Sequence, residues 1–158
     1  MRHTISVLVE NKFGVLARVS GLFSGRGFNI ESLNVAPTLD PALSQMTLVT
    51  RGDDRILEQI TKQLNKLINV IKVIDYSTEA DFINRELVLI KVSAKAEHRA
   101  EALRIVDIFR AKVVDASHAH YTIEVTGSEG KVNGMINMLK PLGIKGIVRT
   151  GLTAMSRG

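Results

Sequence analysis

Glu10-Asn11-Lys12-Phe13-Gly14-Val15-Leu16-Ala17-Arg18-Val19 carries the chain from one hydrophobic period to another. Before it, Ile5, Val7 and Val9 alternate with Thr4, Ser6 and Glu10, as a half-buried strand over residues 3–10 requires. Leu8 breaks the alternation and predicts a second apolar surface against the strand's outer face. After the turn, Val15, Leu16, Val19, Leu22 and Phe23 recur at helical spacing and form one stripe. Gly25 and Gly27 are expected to end that helix, because glycine readily takes left-handed cap positions. A strand therefore feeds a helix through a short turn containing Asn11 and Gly14.

Working outward, residues 28–35 read as a strand, Pro37, Asp40 and Pro41 as a loop, and residues 43–51 as a further strand. Asp53 and Asp54 offer an N-cap and favourable charge to a second helix, whose stripe is Ile56, Leu57, Ile60, Leu64, Leu67 and Ile68. Asn69 stops it, and residues 70–76 return as a strand. The order is βαββαβ. Residues 77–84 lose periodicity and read as a linker. The same order then repeats: a strand at 85–94, a helix carrying Ala102, Ile105, Val106 and Phe109, and strands at 111–116 and 119–126. A helix with Val132, Met135, Ile136 and Leu139 follows, and a strand at 144–149 closes the series. Two such units predict an α+β fold of two small domains, each an antiparallel sheet covered by two helices on one face.

Composition narrows the function. The 158 residues include no cysteine, which removes disulfides, thiolate metal sites and cysteine nucleophiles. The net charge of +5 is spread along the chain among acidic residues, and five phenylalanines and two tyrosines without tryptophan supply no base-stacking platform. A solvated surface is therefore favoured over a nucleic-acid face. Apolar runs are too short to span a membrane and Met1-Arg2-His3-Thr4 leads directly into a strand, so a soluble, cytoplasmic protein is expected. His3, His98, His118 and His120 are the only imidazoles. Ser117 beside His118 forms no triad, and His118 with His120, even with His98 or Asp115, reads as surface histidines before a metal site. No catalytic or metal-ligating residue is assigned.

The Asn11–Leu16 turn has chemistry of its own. N–H groups at a helix start lack intrahelical partners and attract a carboxylate, and a glycine there lets a ligand approach the main chain. Asn29, with Ile30, opens the next strand. The layout suits a free amino acid; the same residues also serve a tight turn with Asn11 as a helix cap. Small sheets with open edges commonly pair with another copy. Edge-to-edge pairing would set Asn11–Leu16 of one chain near Asn29–Ile30 of the next, so a homodimer is expected.

These residues, with Gly21-Leu22-Phe23-Ser24, Arg26-Gly27-Phe28-Asn29-Ile30-Glu31-Ser32-Leu33 and Val35-Ala36-Pro37-Thr38, resemble the regulatory small subunit of acetolactate synthase, also called acetohydroxyacid synthase. In the second half the resemblance rests on Arg85-Glu86-Leu87, Ile90-Lys91-Val92, Val114-Asp115, Glu124-Val125-Thr126-Gly127 and Arg149-Thr150-Gly151. It implies an ACT domain over residues 1–78 and a second ferredoxin-like domain over 79–158. It implies a non-catalytic chain that binds and activates the large catalytic subunit and confers feedback inhibition by valine in branched-chain amino-acid synthesis. That partner carries thiamine diphosphate, Mg2+ and FAD and joins two pyruvates into 2-acetolactate. By position, Asn11, Gly14, Val15, Leu16, Asn29 and Ile30 match the family's effector site, and the second domain and linker are expected to supply part of the contact with the partner. The alternatives are an amino-acid sensor serving another biosynthetic enzyme and a transcription regulator. Neither half contains a helix-turn-helix to support the latter.

Overall fold

The computed structural model describes residues 2–77 and 81–158. The chain divides into two compact units: residues up to Ile83 together with Leu152–Gly158, and Asn84–Gly151. The closing segment therefore belongs with the first unit, a return that a division into 1–78 and 79–158 does not contain. Of the expected linker, residues 78–80 lie outside the described residues, and Phe82 already belongs to a strand.

The first unit is built as β1 (Arg2–Glu10), α1 (Val15–Ser24), β2 (Asn29–Pro37), β3 (Leu43–Arg51), α2 (Asp54–Lys66) and β4 (Val70–Asp75). Its sheet has the order β2-β3-β1-β4, every pair antiparallel. Ile5, Val7 and Val9 of β1 meet Val15, Val19 and Phe23 of α1 and Leu57, Ile60 and Leu64 of α2 in one buried cluster. The alternating strand and the helical stripes are thus two sides of the same core. Asp53 caps α2 by accepting from the Arg55 N–H at 2.8 Å.

Three local readings are corrected here. Gly25 stays right-handed at φ −65°, and only Gly27, at φ 78°, takes the left-handed turn that lets the Phe28 N–H reach the Phe23 carbonyl. The second helix stops at Lys66 because Leu67 is already extended, so Ile68 leaves the buried stripe and stands 92% exposed. Asn11 does not cap α1, whose N-cap is Gly14.

The second unit repeats the plan with β5 (Phe82–Ser93), α3 (Ala96–Ile108), β6 (Lys112–Ala116), β7 (His120–Gly127), α4 (Glu129–Leu139), a 3-10 turn at Lys140–Leu142 and β8 (Ile144–Arg149). The strand order β6-β7-β5-β8 matches that of the first sheet. Val88, Ile90 and Val92 pack with Ile105, Val106, Val132, Met135 and Leu139. Glu86 is buried and paired with Arg149, which also donates to Asn133 Oδ1 at 3.2 Å. A last strand, β9 (Thr153–Ser156), lies in the segment that belongs with the first unit. Arg157 clasps Asp81 at 2.9 Å beside it. In the first unit, Ala154 and Met155 line a groove with Ser6, Leu8 and Tyr76, which is the second apolar surface that Leu8 required.

Candidate effector site

Gly14 sits at φ 79°, ψ −8°, as the N-cap of α1 with no side chain to fold over the helix start. A Cβ built on it would meet nothing within 4 Å. The helix therefore begins at an open surface with no capping side chain and no first-turn acid in competition; the Val15 N–H reaches back only to the Lys12 carbonyl, at 3.5 Å. The Lys12 ammonium lies 2.6 Å from Glu10 and holds that carboxyl below its usual range, with Asn69 adding a weaker bond.

Asn11 is held on the opposite flank. Its N–H donates to the Ala42 carbonyl at 2.7 Å, and its Nδ2 donates to the Pro41 carbonyl at 3.1 Å. The main-chain N–H and the side-chain Nδ2 are thus both engaged by the β2–β3 loop, so what the side chain has to offer a ligand is its oxygen, an acceptor. Nothing in sequence spacing links residue 11 to residues 41 and 42. Only the antiparallel register of β1 on β3, with Glu10 opposite Leu43, brings them together. Val15 is buried in the core at 3% exposure, so its side chain serves packing and only its main chain faces the turn. Leu16, at 42% exposure, presents its side chain outward.

Asn29 and Ile30 lie elsewhere. Asn29 pairs with Arg51, and Arg51 with Arg2, at the start of β1; Pro37 pairs with Ser44 near the end of β1. The two asparagines of one chain therefore stand at opposite ends of the sheet, about 25 Å apart at ~3.3 Å per residue. Asn29 is exposed and its carbonyl accepts from Thr50 Oγ1 at 2.9 Å, while Ile30 is half-buried against the core. β2, which carries them, is an edge strand. The six residues named from the sequence thus fall into two groups at opposite ends of the sheet, Asn11, Gly14, Val15 and Leu16 at one and Asn29 and Ile30 at the other. Neither the cleft lined by Leu8 and Met155 nor that lined by His3, Asp54 and Asp75 includes any of the six.

The imidazoles have structural surroundings. His3 is buried, with Nδ1 2.8 Å from Asp75 and Nε2 2.8 Å from Asp54, and Ser77 Oγ is 2.6 Å from Nδ1. It fastens the start of α2 and the end of β4 to β1. Among the described residues, no three His, Cys, Asp or Glu side chains gather as metal ligands, and no helix is long and apolar enough to cross a membrane.

Comparison with known proteins places this geometry in a family. Residues 5–72 match the domain described as "AHAS small subunit-like ACT domain", and residues 85–158 match "Small subunit of acetolactate synthase". A probable acetolactate synthase small subunit of Archaeoglobus fulgidus is 54% identical over 158 residues, covering 100% of this chain and 98% of the relative. The acetolactate synthase small subunit of Mycobacterium bovis is 52% identical over 156 residues, covering 99% and 92%. The crystal structure of the small subunit from Thermotoga maritima superposes with a TM-score of 0.89 at 41% identity, covering 100% of this chain and 98% of that one. With both halves matched in order and the fold shared end to end, the chain belongs to the acetolactate synthase small subunit family.

Proposed function

We propose that this chain activates the catalytic large subunit of acetolactate synthase in the cytoplasm and makes it sensitive to valine, which binds between the first units of two copies. The observation that carries this is the uncapped helix start at Gly14, exposed, left-handed and next to Asn11, whose amide nitrogen is already engaged by the Pro41 carbonyl. The effector carboxylate would lie over the N–H groups of residues 14–16, favoured by the helix dipole. The Asn11 oxygen, and that of Asn29 from the second copy, would accept from its ammonium group. Leu16 and Ile30 would wall the branched side chain, whose full burial is worth roughly 2 kcal/mol.

The division of the site supports a dimer through β2. Antiparallel pairing of two β2 edges across a two-fold axis near mid-strand brings the start of one strand beside the end of the other. Asn29 of one copy then approaches Pro37 of its partner, on the side where the Asn11 turn is braced to the β2–β3 loop. Each dimer would hold two equivalent pockets.

Catalysis would reside in the partner, which would hold thiamine diphosphate, Mg2+ and FAD and join two pyruvates into 2-acetolactate with loss of CO2. This chain acts only by favouring one arrangement of that partner, so valine must bind the active and inhibited complexes with different affinity. The test is acetolactate formation by the matching catalytic subunit with and without this chain across a valine titration. Stimulation reversed by valine is the expected result. Stimulation without a valine response would overturn the effector assignment, and absence of stimulation would overturn the reading as a whole.

A further inference from the structure

Three loops meet at the end of the first sheet where β1 finishes and β3 and β4 begin. The Asn11–Gly14 turn is clipped on one side to the β2–β3 loop through Asn11, as described, and on the other to the α2–β4 loop. There the Glu10 N–H donates to the Asn69 carbonyl at 2.8 Å and Arg18 Nη1 donates to Asn69 Oδ1 at 2.9 Å. Each loop projects one large apolar side chain into solvent: Phe13 and Leu39 are fully exposed, and Ile68 is 92% exposed. Single exposed apolar residues are ordinary, but these three stand on loops fastened to one another, and holding the loops in place lowers the ordering cost of association.

Resting on the reading as a regulatory subunit, we propose that this three-loop tip is a docking surface for the catalytic subunit, which meets it with an apolar socket rimmed by carboxylates. Charge selects the occupant. Arg18, bonded only to an amide, and Lys66, two residues before Ile68, have no carboxylate partner among the described residues, and Glu10 is taken by Lys12; Asp40 keeps its charge while accepting from the Ala42 N–H, so two cations stand against one acid and the tip is net positive. A second copy docked tip to tip would bring these cations against themselves. A second copy paired along β2 would leave Ile68 uncovered, because β4 lies at the opposite edge of the sheet. The tip shares its central turn with the effector half-site, since Phe13 adjoins Gly14. A ligand settling on residues 14–16 therefore acts on a loop that the partner holds.

The experiment compares the full-length chain with its Leu39→Ser/Ile68→Ser variant, neither residue being part of the effector site. Affinity for the purified catalytic subunit is measured by titration calorimetry, alongside valine binding and the mass of the free small subunit. The expected result is affinity weakened by about 100-fold or more with valine binding and dimer mass unchanged. Lys66→Glu should slow association and reduce its salt dependence. Affinity within twofold of the parent would overturn the proposal, as would free-chain assemblies beyond the dimer that the double variant dissolves. Loss of valine binding or of the dimer in the variant would also overturn it, by showing that these residues serve the fold. A parent chain that fails to bind the catalytic subunit would instead overturn the regulatory reading on which the docking surface rests.

Discussion

Gly14 concentrates the chemistry of the proposed effector site in one backbone position. Its φ of 79° favours glycine, yet a Cβ there meets no atom within 4 Å, so substitution strains the backbone without a clash. Gly14→Ala is expected to fold, to lose about 1–2 kcal/mol from the left-handed conformation, and to keep a weakened valine response. Gly14→Asp uses a residue that tolerates this region but sets a carboxylate over the N–H groups meant for the effector. It should abolish valine inhibition while leaving activation of the catalytic subunit intact, as read by acetolactate assays of the mixed subunits. Unchanged inhibition in the Asp variant would remove the site from this turn. Asn11, Gly14 and the helix start were legible in the sequence because turn residues and the change of period mark them locally. The exposure of Leu16 and the burial of Val15 were not, since both lie in one apolar stripe and only the position of the sheet decides which faces inward.

At the scale of elements, β1, β2 and β3 are tied at one end by Glu31, whose carboxylate bonds to Arg2 at 3.1 Å and to Arg51. Partial burial works to raise the Glu31 pKa, but bonds to Arg51 and Arg2 outweigh it and leave the group below its ordinary value of 4.5. A depressed folded-state value means the charged form is favoured by folding. Its contribution is complete above pH 4.5 and is lost as pH falls through the folded value. Glu31→Gln should therefore lower the urea midpoint at neutral pH and flatten its acid decline, leaving the two proteins alike once the carboxyl is protonated. A parallel acid decline in both would show that the three-strand tie contributes nothing.

The β3–α2 connection is tighter still. A Cβ on Gly52 would stand 1.7 Å from Phe28 Cε1, a ring that is itself buried in the core. Gly52→Ala should cost about 1–3 kcal/mol by displacing that ring, measured by urea unfolding, and Phe28→Leu in the same chain should recover part of the loss. An additive double variant would separate the two residues. The sequence announced the strands and helices on either side of Gly52 by their periods. It held no sign that residue 28 rests on residue 52, because such a contact depends on β2 lying beside β3, with Asn29 opposite Arg51.

For the whole molecule, the repeated βαββαβ order was readable from hydrophobic spacing alone, whereas the return of residues 152–158 to the first unit was not, a four-residue strand being too short to show a period. The same limit applies to the proposed site, whose residues are close in sequence and distant in one chain, and which the proposed dimer would complete between two copies. Sharing between copies makes a prediction that a site within one chain does not. Gly14→Asp and Asn29→Ala should each abolish valine binding in their own homodimers, because every pocket then contains the altered half. When the two variants are unfolded together and refolded as an equal mixture, half of the dimers are mixed. Each mixed dimer has one pocket bearing both changes and one bearing neither. About a quarter of all sites should therefore regain parental affinity, counted by titration calorimetry on the mixture. A pocket confined to one chain gives no recovery at any mixing ratio, since every protomer in the mixture is then defective on its own.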